Sequence, residues 1–211
     1  MNHHVGTGVL CLLALGLAAP ASGQVPLQPK DLVQRLREGG YVIFLRHPQT
    51  DHTQADMDPE NLKNCAAQRN LTNEGRQRAK GIGEAFKRLG IPVGKVLASH
   101  YCRTLEAARL MGLGPVEASI DITEPYDLPP IEAQRRVAAL RDLLASPPEP
   151  GKNTMLVSHR PNMEEAAGQE FADMGEGEMA IFEPLGKNGY HLVSRVGPPE
   201  VWTEWARTLA P

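Results

Sequence analysis

Histidine and arginine side chains stand at the ends of three apolar segments of this sequence. The segments are YVIFLR, KVLAS and TMLVS, and each has the length of one strand. Guanidinium groups bind tetrahedral oxyanions through paired hydrogen bonds, and an imidazole nitrogen can attack phosphorus as a nucleophile. If the three ends meet in space, they predict a phosphate site. The polar residues at or just after these ends are Arg46, His47, Ser99, His100, Arg103, His159 and Arg160.

The residues around His47 allow two other interpretations. The spacing of His47, Asp51 and His52 is compatible with a zinc or iron site, which His159 could complete. Adjacent Arg46 argues against this hypothesis, because its positive charge would repel a cation. His47 could also be an ordinary polar residue where a strand enters a loop.

Hydrophobic patterning predicts the elements that would position these residues. The three apolar segments are typical of strands buried on both faces, and helical patterns separate them. One of these helices follows Thr72 as its N-cap, and residues 47–70 read as a long polar loop. The alternation predicts an α/β fold with a mostly parallel sheet, in which ligands bind beyond the carboxyl ends of the strands. Further predicted elements are helices within 29–38, 101–112, 132–145 and 198–209, a short strand through 117–122, and a hairpin of 178–182 with 191–195.

The composition is that of a globular protein with one domain. The chain has 211 residues, of which 41% are hydrophobic and 22% are charged, and its formal net charge is -3. This length is enough to bury one sizeable core, and the sequence contains no internal repeat. The absence of a basic excess argues against nucleic acid as the main partner.

The first residues have the pattern of a secretory signal peptide. Val9–Ala19 is an uncharged apolar run, too short to span a bilayer comfortably, and PASGQ then offers small residues for cleavage after Ala21 or Gly23. The positive region usual at the start is weak, because no Lys or Arg precedes the apolar run. We therefore expect a cleaved signal over residues 1–23 and a mature domain over residues 24–211. That domain is expected to be periplasmic or secreted, with no stable membrane insertion.

Two cysteines remain after the predicted cleavage. Signal removal takes Cys11 away and leaves Cys65 and Cys102. In an oxidising compartment they could form one disulfide, and two separate buried thiols fit the sequence equally well.

In their order and spacing, the strand-end motifs resemble those of the histidine phosphatase superfamily, in its phosphoglycerate mutase-like branch. The resemblance extends from about Tyr41 to Phe182. It implies a three-layer α/β sandwich with a mostly parallel central sheet, and an activity that needs no cofactor. The residues on which it rests are Arg46 and His47 with Thr50, Ser99 and Arg103 in SHYCRT, and His159 in VSH.

The resemblance also implies a role for each of these residues. His47 would be the nucleophile, taking the phosphoryl group as phosphohistidine before water releases it. Arg46, Arg103 and His159 would hold the phosphate oxygens and stabilise the charge that develops during transfer. Thr50 and Asn162 would contribute to phosphate binding and help to shape the pocket.

The resemblance is weakest at the proton donor. Phosphomonoester cleavage benefits from a carboxylic acid that protonates the leaving oxygen. Glu124, in ITEPYDLPP, stands at the family's position for this acid, but the glycine and the tryptophan-glutamate-glycine that usually follow are missing. The alternatives are Asp127, Glu176, Glu178 and a reaction without a dedicated acid.

Two further residues depart from the family pattern. Pro48 follows the expected nucleophile, where glycine or alanine is usual, and would rigidify the start of the loop. Arg160 replaces a common glycine after His159. It could add a guanidinium to the pocket or lie on the surface, and we slightly favour the surface.

We therefore expect an exported phosphatase that hydrolyses small-molecule phosphomonoesters. A mutase is less expected, because phosphoglycerates are not anticipated outside the cytoplasm. The alternatives are a non-catalytic protein that binds phosphate or sugar phosphate on the same fold and, less favoured, a metal-dependent hydrolase. The sequence does not predict an oligomeric state.

Overall fold

A single central sheet organises the computed structural model, which describes residues 27–124 and 128–211. Its strands are β1 (Val42–Arg46), β2 (Val93–Ala98), β3 (Val116–Ala118), β4 (Asn153–Ser158), β5 (Met179–Pro184) and β6 (Tyr190–Val196). Their order across the sheet is β3-β2-β4-β1-β5-β6. The first four strands in this order are parallel, whereas β5 is antiparallel to both of its neighbours. The prediction of an α/β fold with a mostly parallel sheet is confirmed.

Helices cover both faces of this sheet. They are α1 (Pro29–Glu38), α2 (Asn73–Leu89), α3 (Cys102–Met111), α4 (Pro130–Ala145), α5 (Arg160–Ala167) and α6 (Glu200–Thr208). The strand expected through 117–122 is shorter, because the chain turns into a 3-10 helix at Ile120–Ile122. The sequence analysis did not predict α5, which has only two turns and begins with a proline in its first turn. Within the described parts of the chain, no helix is long and apolar enough to cross a membrane.

The core has two parts, one on each face of the sheet. Ile43 and Leu45 of β1 pack into the part covered by α1, α2, α3 and α6. Val42 and Phe44 of the same strand pack into the other part, under α4 and α5. Successive strand residues point to opposite faces, so burial on both sides requires the continuous apolar run seen in the sequence. The predicted three-layer arrangement is therefore confirmed.

The start of α2 packs against the segment that follows His47. Thr72 caps this helix, because its hydroxyl accepts a hydrogen bond from the Gly75 backbone N–H at 2.9 Å. A Cβ atom on Gly75 would lie 2.1 Å from the Gln49 carbonyl oxygen. Glycine is therefore required there, and the close contact fixes the loop beyond His47 against α2.

A disulfide fastens the loop of residues 47–70 to α3. Cys65 and Cys102 are bonded, with their Cα atoms 5.6 Å apart. Cys102 is the first residue of α3 and immediately precedes Arg103. The predicted signal peptide and Asp127 lie outside the described residues.

Candidate active site

The ends of three neighbouring strands bring the predicted site residues together. Arg46 of β1 pairs with Ser158 of β4, and Ala98 of β2 lies opposite Val157 of β4. The residues that follow these strands therefore emerge at one edge of the sheet. A cavity of about 280 Å³ opens there. Its lining residues are Arg46, His47, Arg69, Glu124, His159, Arg160 and Pro161.

His47 is held as a neutral imidazole with one free nitrogen. Its side chain is buried, and its Nδ1 donates to the Pro48 carbonyl oxygen at 2.9 Å. Burial, followed by the positive charge of Arg103, holds the pKa of His47 well below its ordinary value of 6.5. A neutral imidazole that donates through Nδ1 carries its lone pair on Nε2. His47 therefore has the protonation state of a nucleophile, and the Pro48 carbonyl fixes its tautomer.

His159 is anchored through its other nitrogen. Its Nε2 lies 2.7 Å from Ser99 Oγ, and its Nδ1 lies 3.4 Å from Arg103 Nη2. Because a guanidinium can only donate, Nδ1 accepts and Nε2 donates to Ser99. The Ser99 hydroxyl lies in turn 3.0 Å from Thr104 Oγ1. Burial, then Arg103 and His47, hold the pKa of His159 well below 6.5.

Arg103 is fully buried between two carboxylates. Its Nη1 donates to Asp56 Oδ1 at 2.9 Å and to Oδ2 at 3.1 Å, and its Nη2 donates to Glu124 Oε2 at 3.1 Å. The Tyr101 ring stacks on the guanidinium, with 4.2 Å from Cζ to the ring centroid. The buried Nε of Arg103 has no hydrogen-bond acceptor among the described residues. Arg103 thus lies beneath the cavity rather than on its wall.

Glu124 lies between Arg103 and His159. Its Oε2 is 3.7 Å from His159 Nδ1. Burial raises the pKa of Glu124 above its ordinary value of 4.5 and outweighs the attraction of Arg103. A carboxyl group that retains its proton above the usual range can act as a general acid.

Asn162 supports the segment that carries Glu124. It is buried, and its Nδ2 donates to the Thr123 carbonyl oxygen at 3.2 Å. The sequence analysis predicted a phosphate-binding role for Asn162. In the structure it does not line the cavity, and its observed contact is with the backbone next to Glu124.

Glu176 organises the residues on the β1 side of the cavity. Its Oε1 accepts from Thr50 Oγ1 at 2.6 Å and lies 3.9 Å from Arg46 Nη2 and 3.8 Å from Arg69 Nη1. The Thr50 hydroxyl therefore donates to a carboxylate and does not line the cavity. Arg46 also donates to the Met174 carbonyl, and its buried Nε has no acceptor among the described residues. Burial lowers the pKa of Arg46 below its ordinary value.

The other candidate proton donors lie in different surroundings. Glu176 accepts hydrogen bonds from Thr50 and faces arginines. Glu178 accepts from Arg195 Nε at 2.6 Å and from the Gly175 backbone N–H at 2.8 Å. Of the three candidate carboxylates that the structure describes, Glu124 lines the cavity, whereas Glu176 and Glu178 do not.

Two cavity residues were missed or placed differently by the sequence analysis. Arg69 lines the cavity but follows no strand, so the pattern of polar residues at strand ends did not identify it. The available signal in the sequence was its position three residues before Thr72, the N-cap of α2. Arg160, for which the surface was favoured, lies at the cavity wall, and its Nη1 donates to Glu164 Oε2 at 2.6 Å.

The metal-site hypothesis is not supported by the geometry. Asp51 accepts from the backbone N–H and the hydroxyl of Thr53, and His52 lies 3.5 Å from Glu176 Oε2. In residues 27–124 and 128–211, no three His, Cys, Asp or Glu side chains are grouped to hold a metal ion.

Comparison with solved structures identifies the fold. The protein histidine phosphatase SixA complexed with tungstate is 15% identical, with a TM-score of 0.53 over 76% of this chain and 99% of that one. A mycobacterial glucosyl-3-phosphoglycerate phosphatase in complex with VO3 is 17% identical, with a TM-score of 0.53 over 73% and 97%. A phosphoserine phosphatase from Entamoeba histolytica, in complex with phosphoserine, is 14% identical, with a TM-score of 0.50 over 74% and 95%.

Sequence comparison adds no relative, because no family model and no curated protein matches. At such low identities the structural similarity establishes the fold alone. The chain therefore has the α/β fold of the histidine phosphatase superfamily, the family that its strand-end motifs resemble.

Proposed function

We propose that this protein hydrolyses phosphomonoesters by transferring the phosphoryl group to His47. The observation that carries the proposal is the state of this residue in the cavity. Its Nδ1 is bound to a carbonyl, its pKa is lowered by burial, and its Nε2 is left with a lone pair. Arg46 and Arg69 line the same cavity and supply the positive charge that a phosphate dianion requires.

Three features support phosphate as the ligand. Arg46, which lines the cavity, has a buried Nε without an acceptor among the described residues, and a bound oxyanion could supply one. An anion beside His159 would also favour its doubly protonated form, which adds an N–H donor. Proteins of the same fold were solved with tungstate, VO3 and phosphoserine.

The residues suggest a reaction in two steps. In the first, His47 Nε2 forms a bond to phosphorus while the bond to the ester oxygen breaks, and Glu124 gives that oxygen its proton. The Pro48 carbonyl stabilises the resulting phosphoimidazolium through Nδ1–H. In the second, the Glu124 carboxylate takes a proton from water, which attacks phosphorus and releases inorganic phosphate and neutral His47. The arginines stabilise the charge on the phosphoryl oxygens in both steps.

We also propose that the mature protein acts outside the cytoplasm on small phosphomonoesters. The apolar run Val9–Ala19 and the small residues after it support export. The Cys65–Cys102 disulfide is consistent with an oxidising compartment. Fractionation of the source cells, with detection of the mature N-terminus by mass spectrometry, tests this part of the proposal.

The central test is trapping of the phosphoenzyme. The mature protein is mixed with labelled p-nitrophenyl phosphate or members of a phosphomonoester panel, and the reaction is quenched within milliseconds. We expect label on His47 that is lost in acid and survives base, and a loss of kcat of about 10⁴-fold or more in His47→Ala.

His100→Ala is the matched control, because His100 also follows a strand but does not line the cavity. It should retain activity within about twofold. Label that survives acid and is lost in base would contradict the phosphohistidine. If the wild type and His47→Ala both bind tungstate but neither hydrolyses any substrate, the result would instead favour a protein that only binds oxyanions.

A further inference from the structure

Asp56 contacts the phosphate-site arginines from outside the cavity. Both of its carboxylate oxygens accept from Arg103 Nη1, at 2.9 and 3.1 Å. Its Oδ1 also accepts from the backbone N–H of Arg69 at 3.0 Å. One carboxylate therefore joins the buried arginine of α3 to the loop that carries a second arginine into the cavity wall.

The same loop is fastened to the first turn of α3 at adjacent points. The Gln68 side-chain oxygen accepts from the Cys102 backbone N–H at 2.9 Å, and the Arg69 carbonyl accepts from Arg103 Nη1 at 3.3 Å. The Cys65–Cys102 disulfide adds a covalent link. These contacts fix Asp56 relative to the helix that carries Arg103.

The arrangement divides the Arg103 guanidinium into two edges. Nη1 donates to Asp56 and to the loop backbone, whereas Nη2 faces Glu124 and His159. Asp56 and Glu124 are the two carboxylates within ion-pair distance of Arg103 in the described chain. A buried guanidinium that lost Asp56 would depend on Glu124 alone for its counter-charge, and this would favour the ionised form of that carboxyl.

We propose that Asp56 is a positioning residue for phosphate binding: it orients Arg103, whose Nη2 contacts Glu124 and His159 in the cavity wall. The proposal rests on the proposed function, since it assigns Asp56 to the same site. It makes a prediction opposite to that of simple electrostatics. Removing a negative charge near an anion site should strengthen anion binding, whereas losing the orientation of Arg103 should weaken it.

The test compares Asp56→Ala with Asp58→Ala. Asp58 lies in the same loop, and its carboxylate accepts from the Asn64 side chain at 3.3 Å without contact to the site. We expect Asp56→Ala to raise the Kd for tungstate, measured by calorimetry, about tenfold and to raise KM in parallel, with a smaller change in kcat. Asp58→Ala should stay within about twofold.

Asp56→Asn is the second variant and keeps an amide oxygen that can accept from Arg103. Its tungstate Kd should lie between those of the wild type and Asp56→Ala, and it decides the matter if Asp56→Ala does not fold. Thiol titration and thermal melting establish that the disulfide and the fold are intact in each variant. A loss of folded protein lowers the number of binding sites and leaves Kd unchanged.

A tungstate Kd that is unchanged or lower in folded Asp56→Ala overturns the proposal. Tungstate binding needs no turnover, so the two proposals can fail separately. A wild type that binds tungstate but hydrolyses nothing overturns the phosphatase function. The positioning role of Asp56 is then still tested by the tungstate Kd of its variants. A wild type that does not bind tungstate overturns both.

Discussion

The carboxyl ends of β1 and β4 each deliver a buried histidine to the same cavity, and the two ends differ in which nitrogen is anchored. The rings of His47 and His159 lie 5.3 Å apart between centroids, at an angle of 65°. His47 is anchored through Nδ1 to the carbonyl of the next residue, whereas His159 is anchored through Nε2 to Ser99. The lone pair therefore lies on Nε2 in His47 and on Nδ1, which faces Arg103 Nη2, in His159.

In the proposed function, this difference would separate the nucleophile His47 from His159 as a ligand of the phosphate oxygens. Burial and Arg103 lower the pKa of both rings, so charge alone does not distinguish them. His159 Nδ1 faces Arg103 and Glu124, where a second proton would make it a donor to a bound anion. His47 has its tautomer fixed by a backbone group and keeps its lone pair for attack. The hydrogen bond behind each ring, rather than the residue type, therefore distinguishes the two roles that we propose.

Among variants that keep the proposed nucleophile His47, the largest effect is expected when the His159 side chain at the β4 end is removed. His159→Ala should lower kcat about 10²- to 10³-fold, because one group that stabilises the developing charge is lost while the nucleophile remains. Phosphoenzyme should still form on His47 in single-turnover experiments, but more slowly. A variant that forms no phosphoenzyme over many turnover times would show that His159 is needed for the attack itself.

The next effect concerns the acid beside the His159 end. Glu124→Gln should lower kcat about 10²-fold with alkyl phosphates and much less with p-nitrophenyl phosphate, whose leaving group needs no proton. Equal losses with both substrates would remove Glu124 from the role of acid.

The pH dependence of kcat/KM distinguishes His47 from Glu124. His47 must be neutral, so kcat/KM should rise with pH through a pKa well below 6.5. Glu124 must be protonated, so kcat/KM should fall with pH through a pKa raised above 4.5. The optimum is therefore expected between the lowered pKa of His47 and the raised pKa of Glu124. In Glu124→Gln the descending limb should disappear while the ascending limb stays, which steady-state profiles with an alkyl phosphate would show.

The smallest effect comes from releasing the anchor of one ring. Ser99→Ala removes the acceptor for His159 Nε2 and should lower kcat/KM about three- to tenfold. Phosphoenzyme formation on His47 should change less than tungstate affinity. Ser146→Ala is the matched control, because its hydroxyl donates to the Asp142 carbonyl at the end of α4. Equal effects of the two variants on tungstate Kd would mean that the anchor does not tune the site.

Most elements could be predicted from the sequence because their signals are local. Strand β1 needs apolar residues on both faces, and α2 begins at the capping residue Thr72 and ends at Gly90, which adopts a left-handed conformation. The helix α5 was missed because its short polar sequence has no strong periodicity. The strand predicted through 117–122 was too long, because the apolar pattern continues beyond β3 into a 3-10 helix.

Most predicted residues of the candidate site follow strands or, like Glu124, stand at a position that the family resemblance implies, whereas residues of the long loop were missed. Arg46, His47 and Glu124 line one cavity, with Arg103 directly beneath them. Arg69 and Asp56 come from the long loop, and their positions depend on the disulfide and on hydrogen bonds to α3. Such contacts join residues far apart in the chain, and neither spacing nor periodicity encodes them.

The sequence by itself determined the α/β class, the strands that end in histidine and arginine, and the resemblance of those motifs to one superfamily. These features follow from periodicity, capping and residue type, which are properties of short segments. The tertiary structure decided which nitrogen of each histidine is anchored, that the Pro48 backbone carbonyl fixes the tautomer of His47, and that Thr50 and Asn162 support the cavity from behind. It also raised the pKa of Glu124 and paired Arg103 with Asp56, because burial and ion pairing depend on neighbours that only the folded chain brings together.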